Sequence, residues 1–567
     1  MNMAMGANRF AKITLLSLFL SFAAALLFYN CCLDKIITAM YRGDSLPFLN
    51  HLIHDTSGTP LSYYIIRARL VFSYLTLIAA AAHLCLAAVL ARSYARRIIV
   101  EFFTTPTSPM NLAIFRIAVF VGVLSQIHPS ETIWFGKVPH VLQMAPVGVG
   151  WLLPHLPVSE ALLTIAVILL FVVCATGILG LFTRTSALLA LLGSFYVLGV
   201  PEFYGTVEHY HHLLWFLAIL AVSPSGDALS LDAILKASKR KSKGPAVLPQ
   251  PSVVYSLPLR FACLLMGLIY FFPGFWKIRI SGFDWAFTDN LRYVMYARWM
   301  DLDAFTPFFR LDLHPLLYRS IALGTLVFEL SFILVIFSPR LRILAALAGL
   351  GFHFGSGMFM RIPFFDLWIC YVALFDVSGW ITALRRRLSA RRLPAGKLSQ
   401  NLVESEDSRN IAVDGVPARL YVPVAIVGTL LLLASLSWGA RGIVRGWPFA
   451  CYPRFAWNPG SEVDSMEILA VTPTGEILFQ DTPDLHRLLK YHAFGGQLGS
   501  LLQTRTKDPN GFAERMKAIW SLHVQQDPRL EKASIVRCYR VTLNTIPELR
   551  HVNPIQRELI FELKLGS

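Results

Sequence analysis

Long, uninterrupted apolar runs constrain this chain more than any other feature. Most hold roughly 16 to 22 residues and the longest a few more, enough to cross the ~30 Å of hydrocarbon in a bilayer. Only 15% of the 567 residues are charged, against ~25% in a soluble globular chain, which excludes an ordinary soluble enzyme. The runs fall near 11–29, 66–91, 110–128, 159–182, 185–200, 208–223, 257–276, 316–338, 342–360, 364–384 and 420–440, giving eleven candidate spans. The first follows Arg9 and Lys12 and has no small-x-small cleavage site directly before Cys31 and Cys32, where Phe28-Tyr29-Asn30 stands. It is therefore read as an uncleaved span.

Net charge is +16, which in a soluble chain would suggest nucleic acid. Here the excess follows the loops, because cytoplasmic loops of membrane proteins are enriched in Lys and Arg. With Arg9 and Lys12 inside, alternate loops carry Arg92, Arg96 and Arg97, then Arg184, then Lys236, Lys239, Arg240, Lys241 and Lys243, then Arg340 and Arg342. The last inner loop adds Arg385, Arg386, Arg387, Arg391, Arg392 and Lys397, and these named residues place 19 basic side chains inside against nine in the outer loops. An odd span count then puts the N-terminus in the cytoplasm and the C-terminus outside, and no nucleic-acid partner is implied.

Residues 385–419, rich in Arg, Ser, Asn and Glu, read as a basic cytoplasmic linker before the last span at 420–440. Beyond it, 441–567 has soluble composition, with 16 basic and 13 acidic residues. Strand-like alternation at Val463–Val471, Glu476–Phe479, Ile535–Leu543 and Leu559–Leu565 is interleaved with helical patterns near 484–492 and 510–524. The expected fold is an all-α polytopic membrane protein of about 11 transmembrane helices with a small C-terminal α+β extramembrane domain. Eight cysteines without a CxxC pair argue against a zinc site. Cys451 and Cys538 share the C-terminal domain, either paired or free.

Ionisable residues inside spans are costly and often mark function. Arg116 lies in the third span, Glu329 in the eighth and His353 in the ninth, while Lys277 closes the seventh on its outer side. The ordinary use of such groups is a buried hydrogen-bonded pair or an interfacial anchor. Glu208-His209-Tyr210-His211-His212 opens the sixth span, with histidines at i and i+3 on one helix face. One face is not a metal site, and no second histidine cluster accompanies it, so no metal is assigned.

Several strings resemble, in order, the vitamin K-dependent γ-glutamyl carboxylase family and its bacterial relatives, the horizontally transferred transmembrane domain proteins. They are Asn111-Leu112-Ala113-Ile114-Phe115-Arg116, Leu179-Gly180-Leu181-Phe182-Thr183-Arg184, Glu208-His209 and Ser230-Leu231-Asp232. Leu259-Arg260, Tyr270 through Lys277, Asp284-Trp285, Phe352-His353 and Gly357-Met358-Phe359 follow. The resemblance covers 106–384, with two extra helices in 1–105 and the outer-face domain at 441–567 beyond it. The family ends the corresponding span with a Lys-Lys pair whose second member falls on Lys277, while Trp276 replaces the first. Its Asn-His pair becomes Glu208-His209.

The resemblance implies oxidation of a reduced naphthoquinone coupled to carboxylation of protein glutamate, with oxygen and carbon dioxide as co-substrates. A base deprotonates the hydroquinone, oxygen adds, and the resulting alkoxide removes a γ-proton that an amine could not; carbon dioxide traps the carbanion. Lys277 and His209 are then the expected catalytic residues, with His212, Trp276, His353, Glu329 and Arg116 around the quinone. Phe272, Phe275 and Trp276 would desolvate Lys277. The outer ends of spans six, seven and nine would form a pocket open to lipid, in a bacterial inner membrane, serving a secreted protein or peptide. Two rival readings are a non-catalytic membrane subunit or maturation and secretion factor, and a haem- or quinone-linked redox protein using His209, His212 and His353.

Overall fold

The computed structural model describes residues 2–45, 47–50, 53, 58–152, 155–205, 210–239, 249–302, 305–390, 418–450, 455–481, 501, 505, 507–550 and 553–565. The chain is mainly helical: α1 (Asn2–Cys31), α2 (Leu61–Leu90), α3 (Pro109–Gln126), α4 (Glu160–Leu179), α5 (Thr183–Val197), α6 (His211–Val222), α7 (Val253–Ser281), α8 (Pro315–Val335), α9 (Pro339–Met360), α10 (Val377–Ala390), α11 (Ala418–Arg441) and α12 (Pro509–Gln526). Among the described residues, nine helices are long and apolar enough to cross a membrane.

Two of the eleven apolar runs depart from a straight full-length span. Helix α6 is apolar but only 12 residues long. The segment Phe365–Leu374 meets α10 at a 66° bend. The bend has a local cause: Phe375 is extended, and the Asp376 carboxylate accepts from Ser378 Oγ at 2.7 Å and Gly379 N at 3.0 Å, starting a new helix. Elsewhere the helix ends are built conventionally. Ser108, Ser159 and Ser252 cap α3, α4 and α7, and Gly180 closes α4 in the left-handed region.

Helix α7 is the hub, packing on α8, α11 and α3. Helices α1 and α2 pair with each other and leave Leu16, Phe19, Leu75 and Ile78 exposed, as a lipid-facing pair would. The loops gather at two ends of the bundle. At one, Thr107 pairs with Ser252, Arg184 donates to Ser223 O, and Asn111 donates to Asp376. At the other, Val147 pairs with Gly446, Ser281 donates to Ala456 O and Trp299 to Phe359 O.

The C-terminal domain is an antiparallel sheet of β1 (Glu462–Val471), β2 (Ile477–Asp481), β3 (Ile535–Asn544) and β4 (Gln556–Lys564), in the order β2-β1-β3-β4. Helix α12 contributes Phe512, Met516 and Ile519 to its core, against Ile468 and Val536. The expected helix at 484–492 and Cys451 lie outside the described residues. Cys538 is buried on β3, and its thiol is pushed up to about 12 by that burial. The sheet rests on the membrane domain, where Val541 and Leu543 pack with Met300. Arg310 joins Asp312 and Glu548 at 2.7 Å each across the seam. Burial opposes the charged form of Asp312, but bonds from Arg310 and Tyr296 outweigh it and hold the carboxyl below its usual range.

Candidate functional site

A cavity of about 480 Å³ lies among α7, α8, α9 and the helix Asn290–Asp301, closed on one side by Phe455 from the segment after α11. Its wall is mainly apolar, which makes the few polar groups conspicuous. Lys277 Nζ donates to Glu329 Oε1 at 2.5 Å, with both residues at most 5% exposed. The same ammonium lies 4.7 Å from the centroid of the Trp285 ring. Nearby on the wall, Tyr270 Oη and His353 Nε2 are 2.6 Å apart, and Tyr371 Oη is 3.3 Å from that nitrogen. The Tyr270 and Tyr371 hydroxyls also bond each other. Glu329 Oε2 and His353 Nδ1 have no hydrogen-bond partner among the described residues.

Small residues create this arrangement. A Cβ on Gly274 would stand 2.9 Å from Glu329 Cβ, so glycine lets α8 approach α7 closely enough for the ion pair. A Cβ on Gly349 would stand 2.2 Å from the Tyr371 hydroxyl, so glycine also admits that hydroxyl beside His353. Pro273 lies inside α7 and would ordinarily kink or break a helix, yet the helix continues to Ser281. Its missing N–H interrupts one rung of the ladder, and packing on α8 and α11 keeps the helix continuous.

The Trp285 wall is held from outside the cavity. Arg69 of α2 donates to Asp34 through Nε and Nη2 at 2.7 Å each and through Nη1 to Asp284. Tyr29 Oη donates to Asp284 at 3.0 Å, and Phe283 N to Ser73 Oγ at 3.0 Å. Trp285 Nε1 in turn donates to Phe455 O at 2.5 Å. The two N-terminal helices thus brace the turn that carries this ring.

The structure brings together Lys277, Glu329 and His353 of the expected set. His209 and Glu208 lie outside the described residues. His212 is buried with Nε2 3.1 Å from Asp366 O, and among the described residues spans seven, eight and nine line the cavity while none of span six does. Trp276 turns away, donating to Gly439 O of α11 at 2.8 Å, and Phe272 packs on Gly439. On a helix Trp276 points ~100° from Lys277 and Phe272, five residues back, points ~140° from it, so neither ring shares the face of Lys277. Arg116 sits at the other end of the bundle, where it donates to Ser225 O and Leu229 O at 2.5 and 2.6 Å. Asp232 there accepts from Phe182 N and Thr183 N at 2.8 Å each, so three of the recognised strings meet as a structural cluster.

Sequence reasoning did not single out Tyr270, Trp285 or Tyr371 as site residues. A signal existed for the first, since Tyr270 is seven residues before Lys277 and shares its helix face. A second cleft, of about 700 Å³, lies at the Arg116 end and is lined by Arg184, Asp227, Asp232 and Lys236. Its charges answer one another, with Lys236 3.3 Å from Asp227. Among the described residues, no group of three or more His, Cys, Asp and Glu side chains is placed to hold a metal ion. The chain matches no known protein family, no curated protein and no solved structure.

Proposed function

We propose that the chain is an integral membrane enzyme of the γ-glutamyl carboxylase kind, coupling oxidation of a reduced naphthoquinone to carboxylation of glutamate in a secreted protein or peptide. One observation carries this reading: an apolar cavity is lined by a buried Lys277–Glu329 pair and by His353, with two buried polar atoms, Glu329 Oε2 and His353 Nδ1, left without partners among the described residues. A flat apolar molecule with an oxygen at each end fits that combination. When bound, the quinol would supply, with oxygen, the strong base that removes the γ-proton. The chain's own contribution is to exclude water, to orient one oxygen on His353 and to manage the proton of the other at Lys277 and Glu329. Tyr270 and Tyr371 fix the His353 ring through Nε2.

The full eleven crossings, with an inner N-terminus and an outer C-terminal domain, belong to the same proposal. Two observations support it: the described loops gather at two ends of the bundle, and Arg184 and Lys236 of the basic loops line the cleft at the Arg116 end. The cavity and the sheet domain then share the outer side. Alkaline phosphatase fused after Ser567 should be active, and an inactive fusion at normal expression would overturn the orientation.

The test of activity is incorporation of labelled carbon dioxide into a glutamate peptide, given reduced naphthoquinone and oxygen. Wild type should incorporate label and Glu329→Gln should not. No incorporation by wild type across several quinones and peptides would favour the non-catalytic membrane subunit.

A further inference from the structure

We infer that Glu329, and not Lys277, takes the proton from an aryl hydroxyl bound in the cavity, while Lys277 stays an ammonium that orients Glu329 and then faces the aryl oxyanion. The inference rests on reading the cavity as a quinol site and divides the labour within it. An ammonium has three donors and no lone pair, so it cannot accept a proton until it has given one up. Lys277 is held in that donor state from two sides, by Glu329 Oε1 at 2.5 Å and by the Trp285 ring at 4.7 Å. A carboxylate is acceptor-only. Glu329, a lining residue of the cavity, spends Oε1 on Lys277 and leaves Oε2 buried without a hydrogen-bond partner among the described residues.

An acceptor with nothing to accept is costly in an apolar enclosure, and a ligand hydroxyl donated to Oε2 removes that cost. His353 supplies the second contact. With the Tyr270 or Tyr371 hydroxyl donating to Nε2, the ring proton sits on Nδ1, a buried donor without a partner among the described residues that a second ligand oxygen would satisfy. In the step itself the aryl O–H bond breaks, its electron pair stays on the aryl oxygen, and the proton forms the Oε2–H bond. Net charge in the cavity is unchanged, and the negative charge passes from Glu329 to an aryl oxygen beside the same ammonium. No oxidant takes part in this step.

The experiment uses the full chain in lipid nanodiscs and 2-naphthol, a redox-inert aryl alcohol whose ionised form absorbs at longer wavelength. Infrared difference spectra record carboxyl protonation in the same samples. Wild type should bind naphthol, show the naphtholate band and gain the carbonyl stretch of a protonated carboxylic acid. Glu329→Gln should lose both bands while its affinity, by equilibrium dialysis, falls less than about ten-fold, the loss of one hydrogen bond. Lys277→Arg, whose guanidinium does not deprotonate, should still show both bands at reduced occupancy. Naphtholate formed by Glu329→Gln, or formed by wild type without the carboxylic acid band, would overturn the assignment of Glu329 alone. Naphthol bound only in its protonated form would do the same. No naphthol binding by wild type would overturn the reading of the cavity and this inference with it.

Discussion

Lys277 Nζ stands 4.7 Å from the centroid of the Trp285 ring while donating to Glu329 Oε1 from the opposite helix, so a buried cation is held between an aromatic face and a carboxylate. Breaking one member of such a pair leaves an uncompensated buried charge, at about 3–5 kcal/mol, whereas replacing both with apolar residues is often neutral. Lys277→Met and Glu329→Leu should each lower the midpoint of thermal unfolding in detergent by several degrees, and the double variant should recover most of the loss. Additive losses in the double variant would show that the two residues do not act as a pair.

Arg69 is the link between the N-terminal helices and this wall, since it bonds both Asp34 and Asp284. Arg69→Leu should release the turn at residues 282–289, raising its backbone hydrogen exchange by about ten-fold, a local opening made easier by roughly 1.4 kcal/mol. Asp34→Asn should act in the same direction and more weakly, because Asp34 is 43% exposed and its pair with Arg69 is partly screened. Unchanged exchange in Arg69→Leu would mean that the turn is held by Trp285 and Phe455 alone.

Gly349 sets the position of the Tyr371 hydroxyl. Gly349→Ala places a methyl where the hydroxyl now lies, and overpacking of this kind costs about 1–3 kcal/mol. Stability and naphthol affinity should both fall. Adding Tyr371→Phe, which removes the obstructing oxygen, should restore part of the stability and none of the affinity. Equal recovery of both would argue that Tyr371 does not orient His353.

The C-terminal domain carries its own pH signature in His523 of α12, whose imidazole is pushed down to about 4 by burial. An unfolded imidazole binds its proton near 6.5, so the unfolded chain takes up a proton over a range in which the folded domain does not. Stability is therefore fully present above about 6.5 and is lost as pH falls toward 4, by about 2 kcal/mol between pH 7 and 5. Pulse proteolysis of the full chain should show this loss in wild type, and a shallower one in His523→Phe.

Apolar run length made the helices legible, and alternation made the four strands legible, because burial on one face leaves a period in the sequence. Bringing Lys277, Glu329 and His353 together was half legible: each is costly inside a bilayer, and costly groups seek one another. Trp276 misled because neighbours in sequence point in different directions on a helix, so it faces α11 while Lys277 faces α8. Trp285 stood out only as part of the string Asp284-Trp285, and Tyr371 left no signal, since aromatic residues near a membrane interface are common whatever their role. Arg116 was legible as important but not as structural, because its partners are backbone carbonyls of a loop more than a hundred residues away.

Binding of a quinol in the cavity between α7, α8 and α9, as proposed above, is open to photoaffinity labelling. A reduced naphthoquinone analogue bearing a photoreactive tail, irradiated with the full chain in nanodiscs, should label peptides containing Met295, Phe328 or Phe359, and excess unlabelled naphthol should suppress the labelling. Competable labelling confined to the cleft around Arg184 and Lys236, or labelling of the cavity peptides that naphthol does not suppress, would contradict it.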